Sequence, residues 1–399
     1  MKKHNDKFIC IVFLFMIFAV LAYYPVKYIL ISKGIISLDY NNFKEAEIKE
    51  GNSLITRLDN QITRVKTSLE NRVTNYFPLY SNINYTYSKI NYKLNSLMYN
   101  DFVFLGMNAD NEYAFRNNEI FILESNVNNL MLDSMFDRQI KFYEELSKEA
   151  DVYMYLPNRY EFTILDDNNI TVRDKDKYIT KLKSIQNDSF KIKELKIRNI
   201  EDYKKYFYKT DHHWNAYGAY QGYKDIMGMM ELTPKKLDII ETDTTYMGSI
   251  AKSSAQTDIK DKFMYIDYNE NYDVKVNGKS NSKYKPKVIN KTDNIYYDYY
   301  VSYYNGMFGE VVMDYNNPDK ENLLIISDSY AWQIDEIIAS HFNKTYIMNV
   351  RYDMFINGSL DYKNFVKENN ITKVLILDES ATSIFDMYNY GTSRKIIGE

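Results

Sequence analysis

Three kinds of hydrophobic pattern follow one another along the chain. The first is an unbroken apolar run, Phe8–Tyr24, which carries no charge and follows Lys2, Lys3 and Lys7. Residues 25–32 can lengthen it to a full span, with Lys27 reaching the interface on its flexible stem. The second pattern is helical spacing. Leu54, Ile55, Leu58, Ile62, Val65 and Leu69 fall on one face of a predicted helix, and Tyr80–Met98 reads as another. The third begins with Asp101–Leu105, a buried strand ended by Gly106, and alternates strands with helices. Helices are predicted over 126–150, 176–186 and 215–230, and strands over 152–156, 323–326, 346–350 and 374–377. Pro157-Asn158-Arg159 reads as a turn, and a further helix follows Ser329.

Short, continuously apolar strands between helices indicate an α/β fold, with a parallel sheet covered on both faces. Between about 237 and 317 the chain becomes polar, with β-type alternation and few helix signals. This stretch is expected as a β-rich insertion beside the sheet. The resulting organisation is a membrane anchor (1–33), a stalk and helical lead-in (34–100), and a catalytic domain (101–399).

Two fates are open to the N-terminal run. A cleaved signal peptide needs small residues at its end, whereas large aromatics stand there in this chain. A retained anchor is therefore expected. The preceding lysines favour an N-terminus inside and the remaining chain outside, giving a single-pass protein of the cell membrane.

Composition narrows the chemistry. The 399 residues are 45% hydrophobic and 26% charged, as a folded protein requires. Lys and Arg number 50 against 54 Asp and Glu, so no broad basic surface for nucleic acid is expected. Cys10 is the only cysteine, which excludes disulfides and Cys nucleophiles beyond the apolar run. The 40 Tyr fit either a compositional bias or a surface on which aromatic faces meet sugars.

Scarce residue types converge on two places. Of four His and two Trp, His212, His213 and Trp214 stand together in Lys209-Thr210-Asp211-His212-His213-Trp214, and Trp332 lies three residues after Ser329. In an extended segment residues i and i+2 share a side, so Asp211 can orient the imidazole of His213 while His212 points away. Ser329 directly follows an apolar strand, where a strand-to-helix turn exposes a hydroxyl at the carboxyl edge of a parallel sheet. The first N–H groups of the next helix would then face a developing oxyanion. Alone, an Asp-x-His pair could hold a metal, and an Asp-Ser-Tyr turn could simply cap a helix. A metal would need further ligands, and His341, flanked by Ser340 and Phe342, reads as structural. Together the two elements favour a serine triad of Asp211, His213 and Ser329, with no metal or cofactor expected.

On these residues the chain resembles the bacterial DHHW family, named for the motif that Asp211-His212-His213-Trp214 reproduces. It also resembles the SGNH-like proteins that O-acetylate alginate and other exopolysaccharides, in which the Asp-x-His pair precedes the serine turn. Val103-Phe104-Leu105-Gly106, Tyr155-Leu156-Pro157-Asn158 and Arg351-Tyr352 extend the likeness over about residues 50–385. The resemblance implies a flavodoxin-like SGNH fold with permuted motif order. It also implies Ser329 as nucleophile, His213 as base and Asp211 as its partner. The implied activity is an O-acetyltransferase acting on an extracellular polysaccharide, supplied by a multi-spanning membrane acyltransferase. An acetylesterase with the same triad, or a non-catalytic polysaccharide-binding protein on this scaffold, stays open. Trp214, Tyr330, Trp332 and Arg351 are candidates to line the acceptor groove, and Asn108 is a candidate oxyanion donor. Ser327 stands where the family usually has a Gly, which bears on the geometry of the turn.

Overall fold

The computed structural model describes residues 61–67, positions within 86–97, and residues 102–104, 112–117, 120–125, 130–160, 175–254, 258–280, 299–303, 308–349 and 361–377. The run Phe8–Tyr24, Asn108 and Arg351 lie outside them. Among the described residues no helix is long and apolar enough to cross a membrane. The chain divides into two compact units, residues 1–93 with 292–297, and residues 94–291 with 298–399. In the first, 61–67 is helical, with Ile62 and Val65 exposed.

The second unit is built on an eight-stranded sheet. Five of its strands are parallel: β4 (Asp151–Tyr160), β5 (Phe190–Ile197), β11 (Asn322–Ser327), β12 (Lys344–Met348) and β13 (Ile371–Leu377). They lie in the order β5-β4-β13-β11-β12. Counted from β11, that order becomes 2-1-3-4-5, the doubly wound flavodoxin-like arrangement entered at its fourth strand. The permuted order expected of the motifs is thus a property of the strands themselves. The switch point falls between β11 and β13, and ligands of such sheets bind at the carboxyl ends there.

Alternate residues of these strands face opposite sides. Val152, Met154, Leu156, Leu324, Ile326, Met348, Val374 and Ile376 form one core with α1 (Leu130–Leu146), α2 (Lys175–Ser184) and α6 (Tyr362–Glu368). Each such fully buried side chain contributes roughly 1.5–3 kcal/mol. On the other side α4 (Ala216–Met229) covers β4 and β5. There Tyr155 packs on Trp214, and its hydroxyl donates to Asp225 at 3.0 Å. Both faces are therefore covered, which is why Leu323–Ile326 and Val374–Leu377 read as unbroken apolar runs. β5 is the edge strand, and Lys191 and Lys193 on it are bonded to Glu231 and Asp225.

Three sequence expectations change. Asp101–Leu105 gives β1 (Phe102–Phe104), which pairs antiparallel with β2 (Glu112–Asn117) in a separate three-stranded sheet completed by β3 (Ile120–Ser125). The turn at Pro157–Arg159 is strand, and its irregularity appears as a register shift between Leu156 and Arg159. The insertion lies partly within the main sheet: β10 (Glu310–Asp314), β8 (Asp273–Val276) and β9 (Lys279–Ser280) extend it antiparallel from β12. β8 and β9 are joined by Asn277-Gly278, both at positive φ (49° and 74°), as a tight two-residue hairpin demands. The rest of the insertion forms the pair β6 (Ile239–Tyr246) and β7 (Asp261–Ile266), with α5 (Ser249–Ser254) between them.

Candidate active site

The motif Lys209–Trp214 is the tip of a loop that leads out of α3 (Ile200–Tyr206) and is closed by a bridge between Phe207 and Trp214. Asn215 locks the loop to the next helix. Its side chain accepts from the N–H groups of Tyr217 and Gly218 and donates to the carbonyls of Lys205 and Phe207. Helix α4 thus starts from a fully bonded N-cap.

Within the tip, Asp211 Oδ1 accepts from the His213 N–H at 3.1 Å and meets His213 Nδ1 at 2.5 Å. Accepting a backbone N–H two residues on curls the chain into an Asx turn. The expectation that His212 points away is corrected by that curl, since an extended segment would have been needed. The His212 ring instead lies 3.8 Å from the His213 ring, with Nδ1 at 2.8 Å from Ser249 Oγ.

Ser329 is reached from the other side. β11 ends at Ser327, Asp328 caps the 3-10 turn Ser329–Gln333, and His213 Nε2 stands 2.7 Å from Ser329 Oγ. Asp211, His213 and Ser329 therefore form one hydrogen-bonded chain, linking residues 116 positions apart. Ser327 is buried and does not have positive φ, so the turn holds its form without the family's Gly. The expected oxyanion donors are partly spent, because the Tyr330 N–H donates to Asp328 Oδ1 at 2.8 Å. The Ser329 N–H donates to no described residue.

Charge at the site is set by a carboxylate held inside the protein. Burial alone would raise the pKa of Asp211, but His213, His212 and the Ser249 N–H outweigh it and hold the group well below the carboxylate range. Behind it lies Asp261 of β7, which accepts from the N–H groups of Lys209 and Thr210 and from the Thr210 hydroxyl. Burial outweighs those three donors and pushes its pKa up to about 6. On the far side, the Phe121 N–H of β3 donates to the Lys209 carbonyl at 2.8 Å.

The candidate groove residues have other surroundings than expected. Trp214 and Tyr330 are fully buried, and Trp332 is 6% exposed. Trp214 Nε1 donates to the Tyr330 carbonyl at 3.0 Å, and the Tyr330 hydroxyl donates to the His212 carbonyl, so these rings brace the loop against the serine turn. The expectation that Trp214 and Tyr330 line a groove is corrected by this burial. His212, whose side chain is 29% exposed, is the open member of the group. Asp211, His212 and His213 also form the single cluster, among the described residues, with ligand atoms close enough to share a metal ion. Both nitrogens of His213 are already engaged, by Asp211 and Ser329.

Sequence reasoning missed Tyr300, which stacks on His213, and Ser249 and Asp261, which hold Asp211 and its neighbours. All three lie in the insertion, where no local pattern ties them to the motif. Asn215 carried a readable signal, a capping residue ahead of an apolar-periodic stretch.

The same architecture occurs in solved structures. A DHHW family protein from Eubacterium siraeum superposes with TM-score 0.53 at 15% identity, over 71% of this chain and 97% of that one. The chain shares the fold of a DHHW family protein. Bacillus cereus PatB1, solved with a sulfonyl adduct, gives TM-score 0.54 at 20% identity, over 71% of this chain and 99% of PatB1. A second structure of Bacillus cereus PatB1 gives TM-score 0.52 at 18% identity, over 69% of this chain and 97% of that one. The O-acetyltransferase domain of Pseudomonas putida AlgJ reaches only 0.28, too low to carry an argument. No family model and no curated protein matches the sequence.

Proposed function

We propose that this chain is a serine-dependent O-acetyltransferase that modifies an extracellular polysaccharide. The observation that carries the reading is the chain of hydrogen bonds from buried Asp211 through His213 to Ser329. In the first half-reaction Ser329 Oγ attacks the acyl carbonyl while its proton passes to His213 Nε2. The tetrahedral intermediate collapses as His213 returns that proton to the leaving group, leaving acetyl-Ser329. A sugar hydroxyl then gives its proton to His213 and attacks the acetyl carbon, and Ser329 leaves with the proton. Asp211 keeps the imidazole in the right tautomer and stabilises the imidazolium in both halves. The N–H of Ser329, which donates to no described residue, is the donor we assign to the oxyanion.

The setting is part of the same proposal. The uncharged run Phe8–Tyr24 after Lys2, Lys3 and Lys7 supports a single-pass anchor with the site outside. A multi-spanning acyltransferase would deliver the acetyl group. The test incubates the full-length protein with 4-nitrophenyl acetate and an unmodified polysaccharide, and measures acetyl ester on the sugar against free acetate. Ser329→Ala and His213→Ala should each abolish both products. Wild-type turnover in both variants would overturn the assignment, and free acetate without sugar ester would make the enzyme an esterase.

A further inference from the structure

Asp211 and Ser329 hold the His213 imidazole at its edge and leave its faces to other groups. Tyr300 lies against one face, with ring centroids 3.6 Å apart and planes 11° from parallel. It opens the 3-10 turn Tyr300–Tyr303 in the insertion and is buried. Burial raises its hydroxyl pKa far above the ordinary phenol range, so the ring stays neutral. The outer end of the ring is fixed as well. Gln333 Nε2 donates to the Tyr300 hydroxyl at 3.4 Å and to the Trp214 carbonyl at 2.9 Å. Gln333 belongs to the turn that begins at Ser329, and Trp214 follows His213. One amide thus ties Tyr300 to both halves of the site.

An aromatic face is negative and attracts a cation set against it. His213 would acquire its positive charge while this face is in contact. We propose that Tyr300 is a positioning residue for the general base, holding the imidazole of His213 and stabilising the imidazolium that forms in each half-reaction. The proposal rests on the reading of His213 as that base.

The described groups near His213 include the Asp211 carboxylate at 2.5 Å, the Ser329 hydroxyl at 2.7 Å, the His212 ring at 3.8 Å and the Tyr330 ring at 5.0 Å. Tyr208, Asp211 and Asp328 act on Tyr300 itself. None of these changes when only the ring electronics at position 300 are altered, which defines the test.

Tyr300→Phe keeps both ring and π face. Pentafluorophenylalanine at position 300 keeps the ring's outline but reverses the charge of its face, so packing is preserved while the attraction is lost. With only four His in the chain, the His213 titration can be followed by NMR on the intact protein, independently of turnover. Tyr300→Phe should leave the His213 midpoint in place, whereas the fluorinated ring should lower it by about 0.5–1 pH unit. The acid limb of kcat/KM with 4-nitrophenyl acetate should move down with it, and kcat should fall about 3- to 10-fold. A fluorinated protein that titrates like wild type would overturn the role of Tyr300 while leaving the triad intact. Full turnover in Ser329→Ala would instead remove the reading beneath it.

Discussion

The N–H of Ser249 donates to Oδ2 of Asp211 at 2.8 Å, across 38 residues of sequence. That contact reaches the site from the inserted region, so the insertion is part of the machinery that orients the carboxylate. Thr210 reinforces it: its hydroxyl accepts from the Gly248 N–H, and its carbonyl accepts from Ile250 and Ala251.

Gly248 is the tightest point of that junction. A Cβ there would stand 2.4 Å from Asp211 Cβ and 2.6 Å from both Asp211 Oδ2 and the Thr210 carbonyl. Gly248→Ala must therefore displace the carboxylate. An error of about 1 Å in such a group costs on the order of 10²-fold. We expect kcat/KM to fall by about that factor, and steady-state kinetics beside a melting curve would separate displacement from unfolding.

Replacing Asp211 by Asn keeps the size but reverses the hydrogen-bond sense at His213 Nδ1. The favoured tautomer would then carry its proton on the wrong nitrogen for taking one from Ser329. A loss in kcat of about 10³–10⁴ is expected, the scale known for this change in a serine triad. A variant within a few-fold of wild type would show that Asp211 does not orient the base.

Asp261 gives a stability signature opposite in sign to that of an ordinary paired carboxylate. Its folded pKa, about 6, lies above the reference value of 3.8, so between these values the folded state binds the extra proton. Its contribution is fully present below the lower value and is lost as pH rises through about 6. Unfolding free energy, measured in denaturant from pH 4 to pH 7, should show this decline in the wild type relative to Asp261→Asn. Parallel curves would mean that Asp261 does not titrate in this way.

Gly222 of α4 faces the Trp214 ring, with an added Cβ 2.6 Å from Cζ3 and 2.8 Å from Cη2. Gly222→Ala overfills this packing, at a cost of about 1–3 kcal/mol. Because Trp214 Nε1 bonds the Tyr330 carbonyl next to Ser329, activity should fall along with the melting temperature.

The sequence made the parallel strands legible because burial on both faces leaves an unbroken apolar run, as in Leu323–Ile326. It concealed β5, where Lys191, Lys193 and Lys196 interrupt the pattern of an edge strand, and the β2–β3 hairpin. Asp211, His213 and Ser329 were readable from scarce residue types and local spacing. Tyr300, Ser249 and Asp261 were not, since their roles come from chain crossings that no short pattern records. The orientation of His212 was misread for a related reason. Two residues' spacing implies a shared side only in extended chain, and the Asx turn at Asp211 curls it.

In the proposed reaction Ser329, activated by His213, carries the acetyl group. Brief reaction of the full-length protein with 4-nitrophenyl acetate, an acid quench and peptide mass spectrometry tests it most directly. One acetyl group is expected on the peptide containing Ser329, placed on that residue by fragmentation and absent from Ser329→Ala and His213→Ala. Turnover without acetyl-Ser329, or the same label in His213→Ala, would contradict it.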